Sequence, residues 1–439
     1  MIRRPTSALL PLLVLAAGAG LPLDPPRGAG ADGEPVAPPT GWRFSAPRDE
    51  IAARSWVERG APGVPADFAL GLGGKGSDAV DGRWERTVPL APGRHHAFRA
   101  RCRIQRVESP ERSVLARVVW LAADGRQVEQ PEYPAPLPTA PDGWTPIAGT
   151  WLPPAGAASA RLELHFRWSA AGEVLWRDIE LAPAEPPRAR KVRIAAVNHR
   201  PRGAQSPRAN LERFAALVGE AAGARADIAC LPEGITVCGT GKSCAEVAEP
   251  IPGPATEVLG AAAAKHGVAV VAGIYERDGA AVYNTSILLG KDGKLAGKYR
   301  KVCLPREEID GGLTPGKEYP VFDAGFGKVG MMICWDVHFP GVARELAARG
   351  AEVIFLPIWG GNETLARARA IENQVHLVAS GYDFGTAIYD RRGEPIARAA
   401  KDPEVIVVEI DLGERVLWPW LGDWRARIRS EAPAEGRTP

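Results

Sequence analysis

Residues 182–190 (APAEPPRAR) form a Pro-rich, charged break between two stretches of different hydrophobic texture. Such a segment suits a short stiff linker better than an element of a packed layer. A chain interrupted in this way must bury its apolar surface in two places. At about 100 to 200 residues per domain, 439 residues are enough for two cores.

Before the break, residues 41–181 alternate apolar and polar positions over short runs separated by Gly and Pro. The runs 94–104, 113–121, 160–168 and 173–181 are predicted strands, with a turn at Ala123-Asp124-Gly125. Eight of the thirteen tryptophans lie here, at 42, 56, 84, 120, 144, 151, 168 and 176. An all-β sandwich with a tryptophan-rich interior is the reading, and any Trp left exposed could stack on a sugar. After the break, β-branched strands at 191–197, 227–231, 268–275, 282–289, 328–333, 352–356, 375–379 and 405–410 alternate with amphipathic helices at 208–222, 255–265, 342–349 and 365–374. That pattern predicts a layered α/β domain.

At the amino terminus, Arg3 and Arg4 precede an apolar run, 8–17, and then small residues at cleavage-like spacing up to Ala31. This reads as an export signal over 1–31 and predicts a periplasmic or extracellular protein. The run is about half of what a bilayer-spanning helix needs, and no later window approaches that length. Lys plus Arg is 54 against 52 for Asp plus Glu, so bulk charge gives no reason to bind nucleic acid. Seven histidines show no metal-ligand spacing, and no serine sits in a G-x-S-x-G elbow. The G-x-G-x-x-G matches at 28–33 and 71–76 lack the helix that a dinucleotide needs. The sequon at Asn284 interrupts an apolar strand, where glycosylation could not reach it.

Three apolar runs end on residues with chemistry. ADIACLPEG delivers Glu233 just after Pro232 stops strand pairing. KLAGKYRKVCLP carries Lys298, Arg300 and Lys301 beside a cysteine. KVGMMICWDVHFPG delivers Cys334 before a turn and a helix. Strand ends are where sites assemble in open α/β folds. A thiol nucleophile needs a base and an oxyanion partner, roles open to a carboxylate and an ammonium. Taken singly, each residue could equally be packing, a cap or a solvated charge.

From Val192 to about Leu412 the chain resembles the nitrilase, or carbon-nitrogen hydrolase, superfamily. The resemblance rests on CLPEG, YNTSILLGKDGKLAGKYRKVCLP, VGMMICWDVHFPGVARELAARGAEVIFLP and RARAIENQV in that order. It implies a Glu233–Lys301–Cys334 triad, with a second glutamate from Glu307 or Glu308, Glu308 being favoured. It also implies an α-β-β-α four-layer sandwich over 191–430. Separately, VPLAPGRHHAFRARCRI, RVVWLAADGRQV, GWTPIAGTWLPPAGAASARLELHF and VLWRDIEL resemble the strands of jelly-roll carbohydrate-binding modules, so the chain is expected to be α+β with an all-β jelly-roll sandwich over 41–181. The activity implied is hydrolysis of an amide or carbamoyl C–N bond in a small molecule through a cysteine thioester. No metal or organic cofactor is implied, pairing into a homodimer is common in the family, and a glycan is a candidate partner of the β domain. A nitrilase and a non-catalytic glycan-binding protein on a hydrolase scaffold remain as alternatives. Trp335, His338, Trp359 and Asn362 are substrate-binding candidates by proximity to the motifs.

Two departures stand out. Cys303 occupies a position where relatives often carry His, so a contact stiffening the lysine segment is expected to be lost. Asp336 follows Trp335 where true nitrilases generally carry Glu, which tilts the reading toward amides. Cys238 and Cys244 flank CGTGKSC and are the pair best placed for a disulfide in an oxidising compartment, with two unpaired thiols as the alternative.

Overall fold

The computed structural model describes residues 37–59 and 68–431. The expected export signal, 1–31, lies outside them. The amino-terminal half holds two antiparallel sheets. One orders its strands Arg43–Ser45, Asp81–Pro89, Ser159–Arg167 and Val114–Leu121. The other orders Arg54–Arg59, Phe68–Gly73, Glu173–Ala184, His95–Gln105, Thr145–Trp151 and Ala135–Pro136. Their facing sides close on Trp42, Trp84, Trp120, Trp151 and Trp176 together with Phe98, Leu162 and Phe166. Tryptophan is thus the main filling of this core, which is why so many are packed into one half.

Strand Phe68–Gly73 was invisible to an alternation test because glycine holds two of its positions. Gly71 lies beneath the Trp56 ring, and a Cβ there would stand 2.1 Å from the indole. The last long strand pairs with its neighbour as far as Ala184 opposite His95. The sheet therefore runs three residues into the expected linker, and only residues 185–190 lie between it and the next strand.

The carboxy-terminal half holds two six-stranded sheets. The first runs Leu295–Arg300, Ala281–Leu289, Ala269–Asp278, Ile228–Cys230, Lys191–Asn198 and Glu404–Asp411. The second runs Val321–Asp323, Lys328–Met331, Val353–Pro357, His376–Ser380, Ala387–Tyr389 and Pro395–Arg398. The central strands of each are parallel. Side chains alternate between two interiors. Ala195, Val197 and Leu231 meet the helices Pro207–Gly223 and Pro254–His266, whereas Ile194, Ala196 and Cys230 meet the other sheet. Strands buried on both faces read as continuous apolar runs, as these do. Ser380 Oγ ties the sheets by donating to the Val197 carbonyl at 2.6 Å. Helices Pro340–Ala348 and Glu363–Asn373 cover the far side, giving four layers, α-β-β-α.

Helix Pro207–Gly223 starts where its sequence says it should. Ser206 accepts from Ala209 N at 3.1 Å, Pro207 takes the first turn, and Leu211, Phe214, Leu217 and Val218 are buried. After the last long strand the chain turns back onto the β region. Arg415 pairs with Glu132 at 2.5 Å and with Asp423 at 3.0 Å. Among the described residues no helix is long and apolar enough to cross a membrane.

Candidate active site

The chain leaves strand Ile228–Cys230 through Leu231, whose N–H still donates to Val271 O at 2.8 Å, and Pro232 then releases it to present Glu233. The neighbouring strand is glycine at position 273 for a steric reason: a Cβ there would stand 2.6 Å from Glu233 Cα. Lys301 follows strand Leu295–Arg300, with its N–H donating to Asn284 O and its carbonyl accepting from Gly316 N, both at 2.8 Å. Both functional side chains are buried.

Lys301 Nζ donates to Glu233 Oε1 at 3.0 Å and to Glu308 Oε1 at 2.9 Å. Asn284 Nδ2 makes the same bridge, at 2.7 and 2.6 Å. Each carboxylate thus spends one oxygen on the two donors, while Glu233 Oε2 and Glu308 Oε2 are buried without a protein partner. Burial works against the Lys301 ammonium, but Glu233 and Glu308 outweigh it and hold it above the ordinary lysine range. Burial raises the Glu308 carboxyl despite the attraction of Lys301. Of the two candidate glutamates, Glu308 is the one in the cluster; Glu307 is exposed.

Cys334 opens the short helical turn Cys334–His338 with φ of +42°, a left-handed conformation costly for a residue with a side chain. What holds it there is Asp336, fully buried, which accepts from Ile333 N at 2.8 Å, Tyr299 Oη at 2.7 Å and Cys303 N at 2.9 Å. One carboxylate therefore fastens the cysteine turn to the lysine segment. The Cys334 thiol donates to Gly360 O at 3.4 Å. Burial first, and the charge of Glu233 second, push that thiol up to about 12, against the pull of Lys301. It rests protonated at neutral pH, so attack requires a base.

The other expected residues divide. Trp359 is half-buried beside the thiol's acceptor Gly360, its ring edge-on to Tyr382 at 4.9 Å. Trp335, 37% exposed, lies against His338 with centroids 4.3 Å apart. Asn362 caps helix Glu363–Asn373, its side-chain oxygen accepting from Thr364 N at 2.8 Å, and that commitment weakens its candidacy for substrate. At Cys303 the backbone N–H donates to Asp336 and the thiol also faces that carboxylate, so the lysine segment is anchored there with Cys in place of His.

Cys238 and Cys244 are unbridged, contrary to the disulfide expectation. Ser243 and Glu246 form a capping box that makes Cys244 the first residue of helix Cys244–Val247, packed with Tyr275. The Cys238 thiol instead faces Pro201 O at 3.9 Å. Asn284 was overlooked, although a polar residue in a strand otherwise made for burial must have partners. Asp336 carries no sequence signal of this fastening role beyond its place after Trp335.

In the β region, Trp42, Trp84, Trp120, Trp144, Trp151 and Trp176 are buried. Trp168 is 45% exposed, with Arg167 and Arg112 over its ring at 4.0 and 5.4 Å. Half-buried Trp56 carries Arg54 in the same way. Guanidinium groups thus lie where a sugar would stack.

The carboxy-terminal half is a nitrilase-fold α/β sandwich, and the comparisons with known proteins agree. The carbon-nitrogen hydrolase family profile matches residues 193–419. An omega-amidase of Danio rerio is 35% identical over 249 residues, 50% of this chain and 86% of that protein. One of Homo sapiens is 31% identical over 232 residues, 46% of this chain and 83% of that protein. A solved amidase of Nesterenkonia sp. is 27% identical, covering 51% of this chain and 93% of that one, with a TM-score of 0.45. The chain belongs to the carbon-nitrogen hydrolase family. It is a C–N hydrolase with amidase homologues, and the matched span leaves the β region outside it.

Proposed function

We propose that this protein hydrolyses a linear amide of a small molecule through a thioester on Cys334. The observation that carries the reading is the buried cluster in which Lys301 and Asn284 hold Glu233 by one oxygen and leave the other unpartnered. Glu233 takes the thiol proton as Sγ attacks the carbonyl carbon. Lys301 and the Trp335 N–H stabilise the oxyanion. Collapse breaks the C–N bond, Glu233 returns the proton to the leaving ammonia or amine, and the acyl group stays on sulfur. Glu233 then deprotonates the water that attacks the thioester, releasing the acid and the thiol. Glu308 keeps Lys301 cationic and fixed. Omega-amidase relatives favour amides over nitriles, and the Asp after Trp335 points the same way.

The amino-terminal β region is read as an accessory jelly-roll sandwich with a structural part, since its tryptophans are mostly core or covered by arginine. The signal-like sequence over 1–31 places the reaction outside the cytosol in this proposal. An amide, carbamoyl and nitrile panel on wild type and Cys334→Ala tests the reading. Turnover of amides by wild type alone is expected, and equal turnover by both proteins would remove Cys334 from the mechanism.

A further inference from the structure

Away from these residues, a cavity of about 100 Å³ lies between the second sheet and the returning carboxy-terminal segment. That is several times the space one water needs. Arg391, Arg415 and Arg425 line it, with Gln374, Glu414 and Asp423. Its place follows from strand direction. Strands Lys328–Met331, Val353–Pro357 and His376–Ser380 are parallel, Cys334 follows the end of the first, and Gln374 precedes the start of the last. The cavity is therefore at the opposite end of the sheet from the cysteine.

Arg391 is 3% exposed. Its Nη1 and Nη2 donate to the carbonyls of Glu414 and Leu412, at 2.5 and 3.0 Å, and its Nε has no partner. Among the described residues no carboxylate pairs with it, and the neighbouring ones are committed. Glu352 serves Arg190 and Arg425, and Asp423 serves Arg415, while the Glu414 side chain is exposed. Burial, with Arg425 second, lowers Arg391 to about 10, which still leaves it charged at neutral pH. A buried guanidinium satisfied only by carbonyl dipoles is costly, and Arg425 beside it adds repulsion. Gln374 Oε1, a buried acceptor of the lining without a partner, can take a hydrogen bond only from a protonated oxygen of the ligand.

We propose that this cavity binds a small tetrahedral oxyanion of the phosphate class, held by Arg391 and Arg425. Bound there, the anion neutralises Arg391 and joins the second sheet to the segment 411–425. That segment also carries Arg415, whose bond to Glu132 reaches the β region. The anion thus acts as a structural link between the two halves, independent of the hydrolytic reading.

The test is thermal unfolding of the full chain titrated with inorganic phosphate against sodium chloride at matched ionic strength. A saturable rise in Tm with phosphate is expected, as linkage requires of a ligand that binds the folded state. Arg391→Gln should weaken the apparent affinity about tenfold or more. If that variant does not fold, the partly exposed Arg425→Gln decides in its place. A parallel titration with glycerol 3-phosphate tells free phosphate from a phosphate monoester, and a saturable rise with either supports the site. Equal Tm in phosphate and chloride overturns it, as does an unchanged phosphate titration in both variants.

Discussion

Lys301 Nζ stands 3.0 Å from Glu233 Oε1, and Glu233 Oε2 has no protein partner. The ammonium thus fixes the carboxylate by one oxygen and leaves the other to receive a proton. Asn284 repeats the contact at 2.7 Å, so two donors, one on a strand and one just past the end of its neighbour, define the orientation of one base.

Asn284→Ala removes a bridge to both carboxylates and should lower kcat roughly tenfold to a hundredfold, consistent with the loss of charge-assisted hydrogen bonds that position a base. KM should change much less, because the amide faces the carboxylates. Steady-state kinetics on the preferred amide checks this. A change confined to KM would instead make Asn284 a substrate contact.

Asp336 joins the cysteine turn to the lysine segment through three accepted hydrogen bonds, so Asp336→Asn, which turns one oxygen into a donor, should cost about 2 to 4 kcal/mol of stability. Tyr299→Phe removes one of the three and should cost about half of that. Denaturant unfolding measures both. Equal losses would mean that the tyrosine, not the carboxylate, carries the link.

Cys303 anchors the lysine segment by its backbone N–H. Cys303→Ser keeps that bond and puts a hydroxyl donor where the thiol faces Asp336, so kcat/KM should stay within about twofold of wild type. A fall beyond tenfold would show that the thiol itself works in the site.

The sequence made the carboxy-terminal half legible because its strands and helices carry strong periodicity and its three reactive residues each follow an apolar run. Elements without such a signal were missed. Strand Leu295–Arg300 has three cationic or glycine positions in six, and helix Arg306–Asp310 is a single turn. Asn284 and Asp336 were hidden for a related reason. Their importance comes from partners far off in the chain, 24 and 51 positions from Asn284 and 33 and 37 from Asp336, which no local pattern reports. The disulfide expectation failed because proximity in sequence says nothing of direction, and the capping box at Ser243 turned Cys244 toward Tyr275. In the β region, tryptophan content was readable but the arginines covering the exposed rings were not.

His376 supplies a pH test. It is buried at the start of strand His376–Ser380, and burial, then the charges of Arg391 and Arg425, lower it from an ordinary 6.5 to about 3. The folded value is depressed, so the unfolded chain binds the proton first. The stability His376 contributes is fully present above about pH 6.5 and is lost as pH falls toward 3. Between about pH 7 and pH 5 this single group should cost about 2 kcal/mol. Other buried groups titrate in both directions over this range, so the quantity that isolates His376 is a difference. Stability of wild type and His376→Gln, each measured by denaturant at both pH values, should fall more steeply with acid in the wild type by about that amount. Parallel losses in the two proteins would show that His376 is protonated in the fold, with the Glu352 carboxylate outweighing burial and the charges of Arg391 and Arg425.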